Sequence, residues 1–294
     1  MPCILPRMLD ALAQIGINKT KGIPLGAFKI YKIQIGYSFA KHNDPPAVYN
    51  TMRTCLITLD SGCGFSYFHG DLDETVKKYV DKDVRDIALD RKAPLYIRVA
   101  AIDALHSLIS RRKEKDRAFL RGNRNEKGAQ RAKEVFREVQ PGDHVALLGA
   151  VPDFVILAKK KKFRISVYDM AESKIGTDCM GVQIQKGGNL EEILSTNPRV
   201  THVCATGMIF ATGTAGEVFE VCRKYKKRLI LFMETGANFG EELIQLGAQH
   251  VLAEFFPFFD FAGETRYSVY TAAYERSGSK KKSFKRKSHT GKDL

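Results

Sequence analysis

The sequence predicts an α/β protein in which a small α+β domain precedes a doubly wound sheet. The first observation is the stretch from Pro141 to Asp169, which runs through a turn, an apolar strand, Gly149, a helix candidate and a second strand. The second is that strand-like and helix-like segments keep alternating after this stretch, as a doubly wound sheet requires. The third is that the residues before 112 place two or three strand-like segments together, followed by helices.

In the N-terminal part, apolar residues at helical spacing predict helices, and period-two alternation predicts antiparallel strands. The predicted helices cover residues 9–15, 71–80 and 95–109, and the predicted strands cover 27–35, 54–59 and 65–68. Pro94 opens the third of these helices, whose apolar positions form one buried stripe. The charged run at 110–116 is the predicted domain boundary.

The C-terminal part is predicted to begin with a helix at 125–139 that leads into a strand at 145–148. Further strands are predicted at 163–168, 200–204, 228–233, 250–253 and 265–270, and further helices at 154–162, 190–194, 216–225 and 241–246. The segment from Thr206 to Thr214 is predicted to be a loop. The predicted organisation is therefore a small α+β domain at 1–112, an α/β domain at 113–276 and a basic tail at 277–294.

Composition narrows the class of protein. A chain of 294 residues with 44% hydrophobic content can bury two cores of ordinary size. No apolar run approaches the roughly 18 residues that cross a bilayer, and the N-terminus carries too short an apolar patch for a signal peptide. The six cysteines form no C-x-x-C pair and are expected to be reduced thiols. We therefore expect a cytoplasmic protein without a membrane partner.

The formal charge of +14 invites a nucleic-acid interpretation. Much of this charge is local, in the last fifteen residues and in short runs at 111–113, 159–162 and 224–228. A polar, basic end such as 277–294 cannot bury apolar area and is expected to be disordered. It either holds nucleic acid electrostatically or is a solvated tail, and the sequence leaves both open.

Candidate site residues lie beyond the carboxyl ends of the predicted strands, where open α/β sheets bind ligands. Asp169 follows Gly149 by twenty residues, about the spacing at which a dinucleotide or adenosyl fold places its ribose-binding carboxylate. Threonine hydroxyls, glycine amides and helix N-termini suit an anionic ligand. The predicted ligand-binding residues are Gly149, Pro152, Asp169, Thr206, Gly207, Gly213 and Thr214. Glu234 and Asp260 are the candidates for a general base or a metal ligand.

Each candidate has a structural alternative. Thr214 can cap the following helix with Glu217 in a capping box, and Gly207 and Gly213 can serve only to turn the chain. His202 and Cys204 face the same side of one strand and are candidates for a soft metal pair, whereas the alternative is a satisfied core histidine. Cys63 and His69 form a comparable pair in the glycine-rich hairpin.

The same residues carry a family resemblance. The run from Val145 to Asp153, the Tyr168-Asp169 strand end and, above all, the segment from Thr206 to Thr214 resemble the C-terminal domain of the heavy-metal chelation family. The likeness covers roughly residues 8–272, and the helix at 95–109 resembles the one that ends the family's first domain. It implies an enolase-N-terminal-like domain followed by a Rossmann-like domain, with a metal, a metal chelator or a small anionic metabolite in the interdomain cleft.

Three functions follow as hypotheses. The first is a small-molecule-binding protein or enzyme that holds an anionic metabolite or a metal–chelator complex, in a biosynthetic or metal-handling pathway. The second is an enzyme that uses S-adenosylmethionine, with Gly149 near the methionine end and Asp169 on the ribose. The third is a nucleic-acid or interaction protein that acts through the tail, since the sequence of the folded part offers no aromatic platform with interleaved lysine and arginine. A transferase or a lyase is the enzyme class considered, and homodimer formation is left open.

Overall fold

The computed structural model describes residues 4–41, 49–69, 74–110, 118–257 and 263–272. The N-terminal part contains an antiparallel sheet in the order β1-β2-β3. Its elements are α1 (Ile4–Lys19), β1 (Ile30–Lys41), β2 (Tyr49–Leu59), β3 (Cys63–Phe68), α2 (Val84–Leu89) and α3 (Leu95–Ser110), with 3-10 turns at Leu25–Phe28 and Glu74–Tyr79.

Helix α3 is buried along nearly its whole length, from Tyr96 to Leu108. It packs against β2 and β3 on one side and against residues 237–239 of the C-terminal part on another. The crossing with β3 requires Gly64, because a Cβ atom there would lie 2.1 Å from the carbonyl oxygen of Ala100 and 2.1 Å from the nitrogen of Ala104. The sequence predicts one buried stripe on this helix, and the structure buries more than that because α3 lies between the two parts of the protein.

The C-terminal part is built on an eight-stranded sheet in the order β4-β11-β10-β9-β8-β5-β6-β7. Its strands are β4 (Ala118–Leu120), β5 (His144–Leu148), β6 (Arg164–Asp169), β7 (Ile184–Lys186), β8 (His202–Thr206), β9 (Arg228–Met233), β10 (His250–Glu254) and β11 (Thr265–Thr271). Strands β5 to β10 are all parallel, and β11 is antiparallel to its neighbours. Numbered from β5, the parallel strands have the order 3-2-1-4-5-6 of dinucleotide-binding folds. The predicted α/β, doubly wound fold class is confirmed.

Helices cover both faces of this sheet, as double winding requires. They are α4 (Arg124–Val135), α5 (Pro152–Lys161), α6 (Leu190–Thr196), α7 (Met208–Ala211), α8 (Ala215–Lys224) and α9 (Gly240–Gln245). One face packs on α4 and α5 around Phe136 and Phe154. On the other face, Val203 and Val218 belong to the same apolar cluster as Leu12 of α1 and Ile102 of α3. The cores of the two parts are therefore continuous.

Several local predictions need correction. The predicted loop from Thr206 to Thr214 contains the short helix α7, because apolar Ile209 and Phe210 are buried there. The predicted helix at 71–80 is a 3-10 turn over its described residues, and α4 ends at Val135, four residues early. The three-residue edge strands β4 and β7 were not predicted, since so short a segment has no readable period.

Some predictions fall outside the described residues: Asp260, the tail at 277–294 and the boundary near residue 112. Within the described ranges, no helix combines the length and apolar character needed to cross a membrane.

Candidate functional site

Five neighbouring parallel strands end along one edge of the large sheet, which we call the carboxyl edge. Their last residues are Leu148, Asp169, Thr206, Met233 and Glu254. The N-terminal part lies against this edge through β3. The backbone N–H of Tyr67 donates to Thr235 Oγ1 at 3.0 Å, and the N–H of Gly236 donates to the carbonyl oxygen of Phe65 at 3.3 Å.

The switch point of the sheet lies between β5 and β8, and two predicted residues meet there. Gly149 has a φ of 101°, a backbone conformation that glycine adopts without strain. A Cβ on Gly149 would lie 3.5 Å from Thr206 Oγ1, so the two residues are in contact distance. Gly149 and Thr206, both predicted ligand-binding residues, are therefore neighbours at the switch point.

Asp169 ends β6, and its carboxylate is engaged within the protein. Oδ1 accepts from the N–H of Ala171 at 3.0 Å, and Oδ2 accepts from the N–H of Ala150 at 3.2 Å and from Lys174 Nζ at 3.1 Å. Burial alone would raise the pKa of Asp169, but the charge of Lys174 and these donors outweigh burial and lower it. The carboxylate is thus ionised at neutral pH and holds the loop that follows Gly149.

The segment from Thr206 to Thr214 leaves β8 through a close backbone contact. A Cβ on Gly207 would lie 2.7 Å from the carbonyl oxygen of Thr235, so glycine is required for this approach. Thr212 Oγ1 donates to the carbonyl oxygen of Met208 at 3.0 Å and lies 3.0 Å from Thr214 Oγ1.

The helices that begin at this edge test the purely structural roles considered for Thr214 and Gly213. Thr214 occupies the N-cap position of α8, but its side chain makes no capping hydrogen bond, so the capping box with Glu217 is wrong. Gly213 has a φ of 80°, which favours glycine and supports a turning role. Pro152 is the first residue of α5, a position at which proline loses no hydrogen bond.

A cavity of about 40 Å³ lies between the carboxyl edge and the N-terminal part. Its lining comes from β3, α3, the segment after β9, the end of β10 and β11: Cys63, Phe65, Asp103, Ser107, Glu234, Ala237, Asn238, Phe255, Phe256 and Arg266. A cavity above ~10–15 Å³ holds at least one water molecule. Glu234, a predicted site residue, is therefore at the cavity. The predicted ligand-binding residues that do not line it are Gly149, Pro152, Asp169, Thr206, Gly207, Gly213 and Thr214.

Two acids of the cavity make hydrogen bonds between the N-terminal part and the segment after β9. Tyr67 Oη donates to Glu234 Oε2 at 3.0 Å. Asp103 is buried and accepts from the N–H of Phe65 at 2.9 Å and from the N–H of Asn238 at 2.7 Å. Burial raises the pKa of Asp103 to about 7, although its hydrogen bonds act to lower it. Asp103 therefore joins α3, β3 and the segment after β9 and titrates near neutral pH.

Buried cations lie behind the same edge. Arg131 of α4 binds Glu254 through Nε at 2.6 Å and through a second nitrogen at 2.9 Å, and both side chains are buried. Burial acts to lower the pKa of Arg131, but Glu254, Glu234 and Asp153 raise it. Lys127, one helical turn earlier, is also buried. Sequence reasoning missed this pair, although cations at i and i+4 on the apolar face of a helix are a readable signal.

The proposed soft metal pair lies elsewhere. His202 is the first residue of β8, at the opposite edge of the sheet, and its Nδ1 is 2.8 Å from Thr201 Oγ1. Burial lowers the pKa of His202 and raises that of the Cys204 thiol. No group of three potential metal-binding side chains occurs within the described ranges. The alternative of a satisfied core histidine accounts for these contacts.

Comparisons with known proteins assign the chain to no family. No protein-family model and no curated protein matches it. Among solved structures, the UDP-D-quinovosamine 4-dehydrogenase of Vibrio fischeri is 17% identical with a TM-score of 0.26, over 31% of this chain and 78% of that one. Cystalysin from Treponema denticola, which contains pyridoxal 5'-phosphate, is 14% identical with a TM-score of 0.36, over 52% of this chain and 41% of its own.

The cysteine desulfurase CsdA of Escherichia coli is 12% identical with a TM-score of 0.34, over 55% of this chain and 41% of that protein. The chain thus spans less than half the length of the last two enzymes. Likenesses at these TM-scores carry no argument about function.

Proposed function

We propose that the chain binds a small anionic metabolite in the cleft between the carboxyl edge and the N-terminal part. The observation that carries the proposal is the lining of the cavity, in which Arg266, Glu234 and Asp103 come from three separate elements and meet aromatic and polar side chains. Ligand sites of this kind combine an apolar wall with a few convergent polar groups, several of them with altered pKa values.

The charges at the cavity favour a ligand that carries both an anionic group and a hydrogen-bond donor. Arg266 lines the cavity, and a guanidinium suits a carboxylate or a phosphate, since its planar donors match two oxygens. Glu234 presents a carboxylate that already accepts from Tyr67. We expect Glu234 to accept a proton or a hydrogen bond from the ligand, and Asp103 to hold the two parts of the protein together around it.

The resemblance to the heavy-metal chelation family supports the same kind of ligand. A metal would enter this cleft as part of a chelate, because the described residues contain no group of three side chains that could bind a bare ion. The negative groups of such a chelate would meet Arg266.

A thermal-shift screen tests the proposal. The compounds are carboxylate and phosphate metabolites, adenosyl and nicotinamide cofactors, and nickel and ferric chelates. A ligand present at 100 times its Kd stabilises the folded state by ~2.7 kcal/mol, which a melting curve detects. Hits are then titrated calorimetrically into Glu234→Gln and Arg266→Met, with the exposed helix residues Glu217→Gln and Arg223→Met as matched controls.

We expect each cleft variant to weaken binding at least tenfold, or ~1.4 kcal/mol, while the controls bind like the wild type. A ligand that binds all four variants equally occupies another site, and the proposal is then wrong. A screen in which no compound raises the melting temperature also counts against it.

An adenosyl ligand is the second candidate, and the strand order favours it. Asp169 ends the second strand of a 3-2-1-4-5-6 sheet and contacts the loop after Gly149, where such folds bind a ribose. Calorimetry with S-adenosylmethionine and its demethylated product tests it on Asp169→Asn, with the exposed Asp178→Asn as control. We expect binding that only the first variant weakens. Absence of heat with both ligands excludes this candidate.

A further inference from the structure

The edge of the large sheet opposite the cleft collects cations from distant parts of the chain. Strands β5, β6, β8 and β9 begin side by side here, with His144 paired to Arg164 and His202 paired to Arg228. Helices α5 and α8 end immediately before β6 and β9 in lysine-rich segments. We define the basic edge as the exposed residues Lys160, Lys162, Arg164, Arg199, Lys226 and Arg228.

Most of this charge is not neutralised. Within the described ranges, Lys160, Lys162, Arg164, Arg199 and Lys226 form no salt bridge. Three acids nearby pair with other cations: Glu191 with Lys224, Glu220 with Arg223 and Glu134 with Arg137. Asp143, just before β5, accepts from Thr201 Oγ1 at 3.2 Å and lies 4.0 Å from His202 Nδ1. The basic edge therefore presents a net positive surface that the linear sequence shows only as separate short runs.

Stabilisation of helix ends explains only some of the cations of the basic edge. Cations in the last turn of a helix interact favourably with its dipole, and this effect falls off within that turn. Lys160 lies in the last turn of α5. Arg164, Arg199 and Arg228 lie beyond the helix ends, at or just before the starts of strands, where the dipole gives no reason for a cation.

Two lysines occupy positions that favour glycine. Lys162 and Lys226 have φ values of 60° and 51°. In both places the next residue closes a six-residue turn, with the N–H of Phe163 donating to Ala158 and that of Lys227 donating to Cys222. Glycine is the usual residue at this left-handed position because a side chain there costs stability. The same departure at two equivalent helix ends indicates that the lysine side chains serve a purpose other than folding.

The shape of the surface fits a row of phosphates. Adjacent strands lie ~4.8 Å apart, so the three steps from β6 through β5 and β8 to β9 span ~14 Å. Along its axis, a duplex rises ~3.4 Å per phosphate of one strand, so a surface of this length meets a few phosphates of one backbone. Of the exposed large apolar side chains in the described ranges, Leu246 follows a helix at this edge and Met180 lies beside Lys159 of α5. A membrane-binding surface needs apolar anchors, and these two belong to separate segments.

The C-terminal tail starts from the same edge. Strand β11 is antiparallel to β10, so it ends where the parallel strands begin, and the N–H of Ala272 donates to the carbonyl oxygen of Gln249 at 2.9 Å. The residues that follow in the sequence, 273–294, contain a further set of lysines and arginines. Ala272, the last described residue before them, therefore lies at the edge where the parallel strands begin.

We propose that the basic edge binds the phosphate backbone of nucleic acid without reading its sequence. This interaction is separate from the ligand cleft, because the two lie at opposite ends of the same strands. Binding of this kind depends steeply on salt, with a slope of log K against log salt of ~0.7 to 0.9 per phosphate neutralised.

Fluorescence anisotropy with a labelled 20-nucleotide single strand of mixed sequence, titrated with the full chain between 50 and 200 mM salt, tests the proposal. The diagnostic variant is Lys162→Gly with Lys226→Gly, because glycine at these positions should leave the urea midpoint unchanged or raise it. We expect weaker binding and a salt slope shallower by about 1.4. Adding Arg164→Gln and Arg199→Gln should reduce the slope by about 3 in total. The control is Lys21→Gln with Lys92→Gln, two exposed lysines of the N-terminal part.

Four results would overturn the proposal. The first is that the wild type does not bind the oligonucleotide, and the second is that the control variant loses as much affinity as the glycine variant. The third is that binding disappears on removal of 273–294 but is unchanged in the glycine variant. The fourth is that the protein binds vesicles of phosphatidylserine and phosphatidylcholine but not the oligonucleotide. A weaker glycine variant with an intact urea midpoint and a normal control supports it.

Discussion

Replacing Glu242 by glutamine tests how the N-terminal part is held to the sheet. Glu242 lies in the first turn of α9, and its Oε1 is 2.6 Å from Lys19 Nζ of α1 and 3.5 Å from His106 Nδ1 of α3. The carboxylate side chain is only 4% exposed. One charge thus joins three helices that come from both ends of the chain.

The pKa of Glu242 sets the size of the effect. Burial alone would raise it, but the hydrogen bonds and charges of His106 and Lys19 outweigh burial and lower the pKa from 4.5 to about 2. Each pKa unit corresponds to ~1.36 kcal/mol, so the ionised carboxylate contributes ~3 kcal/mol. Because the pKa is lowered in the folded state, this contribution is complete above pH 4.5 and is lost as the pH falls towards 2.

Urea unfolding at several pH values, analysed by linear extrapolation, measures this contribution. We expect Glu242→Gln to lose ~3 kcal/mol at pH 7 and to lose less stability than the wild type between pH 4.5 and 2. The control is Glu217→Gln, the same change at an exposed residue in the first turn of α8. A variant within about 0.5 kcal/mol of the wild type at pH 7, the range of ordinary surface substitutions, would refute the reasoning, as would an unchanged acid dependence.

Two further predictions concern close packing. Gly64→Ala places a Cβ atom 2.1 Å from backbone atoms of α3. It should destabilise the protein by at least the ~1–3 kcal/mol of an overpacked core. The control is Gly26→Ala, which has open space around it and should leave the urea midpoint nearly unchanged. Three buried cysteines should resist alkylation at pH 8 until denaturant is added, because burial raises the thiol pKa of Cys55, Cys204 and Cys222; rapid labelling of all three in the native protein would contradict their burial.

Local sequence patterns were sufficient for most elements. Period-two alternation identified β1 and β6, and short apolar runs identified β5, β8, β9 and β10, because strands buried on both faces consist of little else. Gly149 and Thr206 were both predicted to lie beyond the carboxyl ends of strands, and parallel strands end at one edge. The pattern failed for α7, where a four-residue helix was hidden in a segment rich in threonine and glycine.

The sequence by itself determined the α/β class, the doubly wound alternation and the edge at which the parallel strands end, because these depend on spacing between near neighbours in the chain. Only the tertiary structure decided which side chains meet. Tyr67 and Glu234 are 167 positions apart and share a hydrogen bond, and the lysines at 162 and 226 form one surface only because β6 and β9 begin at the same edge. Contacts across such distances leave no local pattern, so the cleft beneath the N-terminal part and the basic edge emerge only when the sheet is assembled.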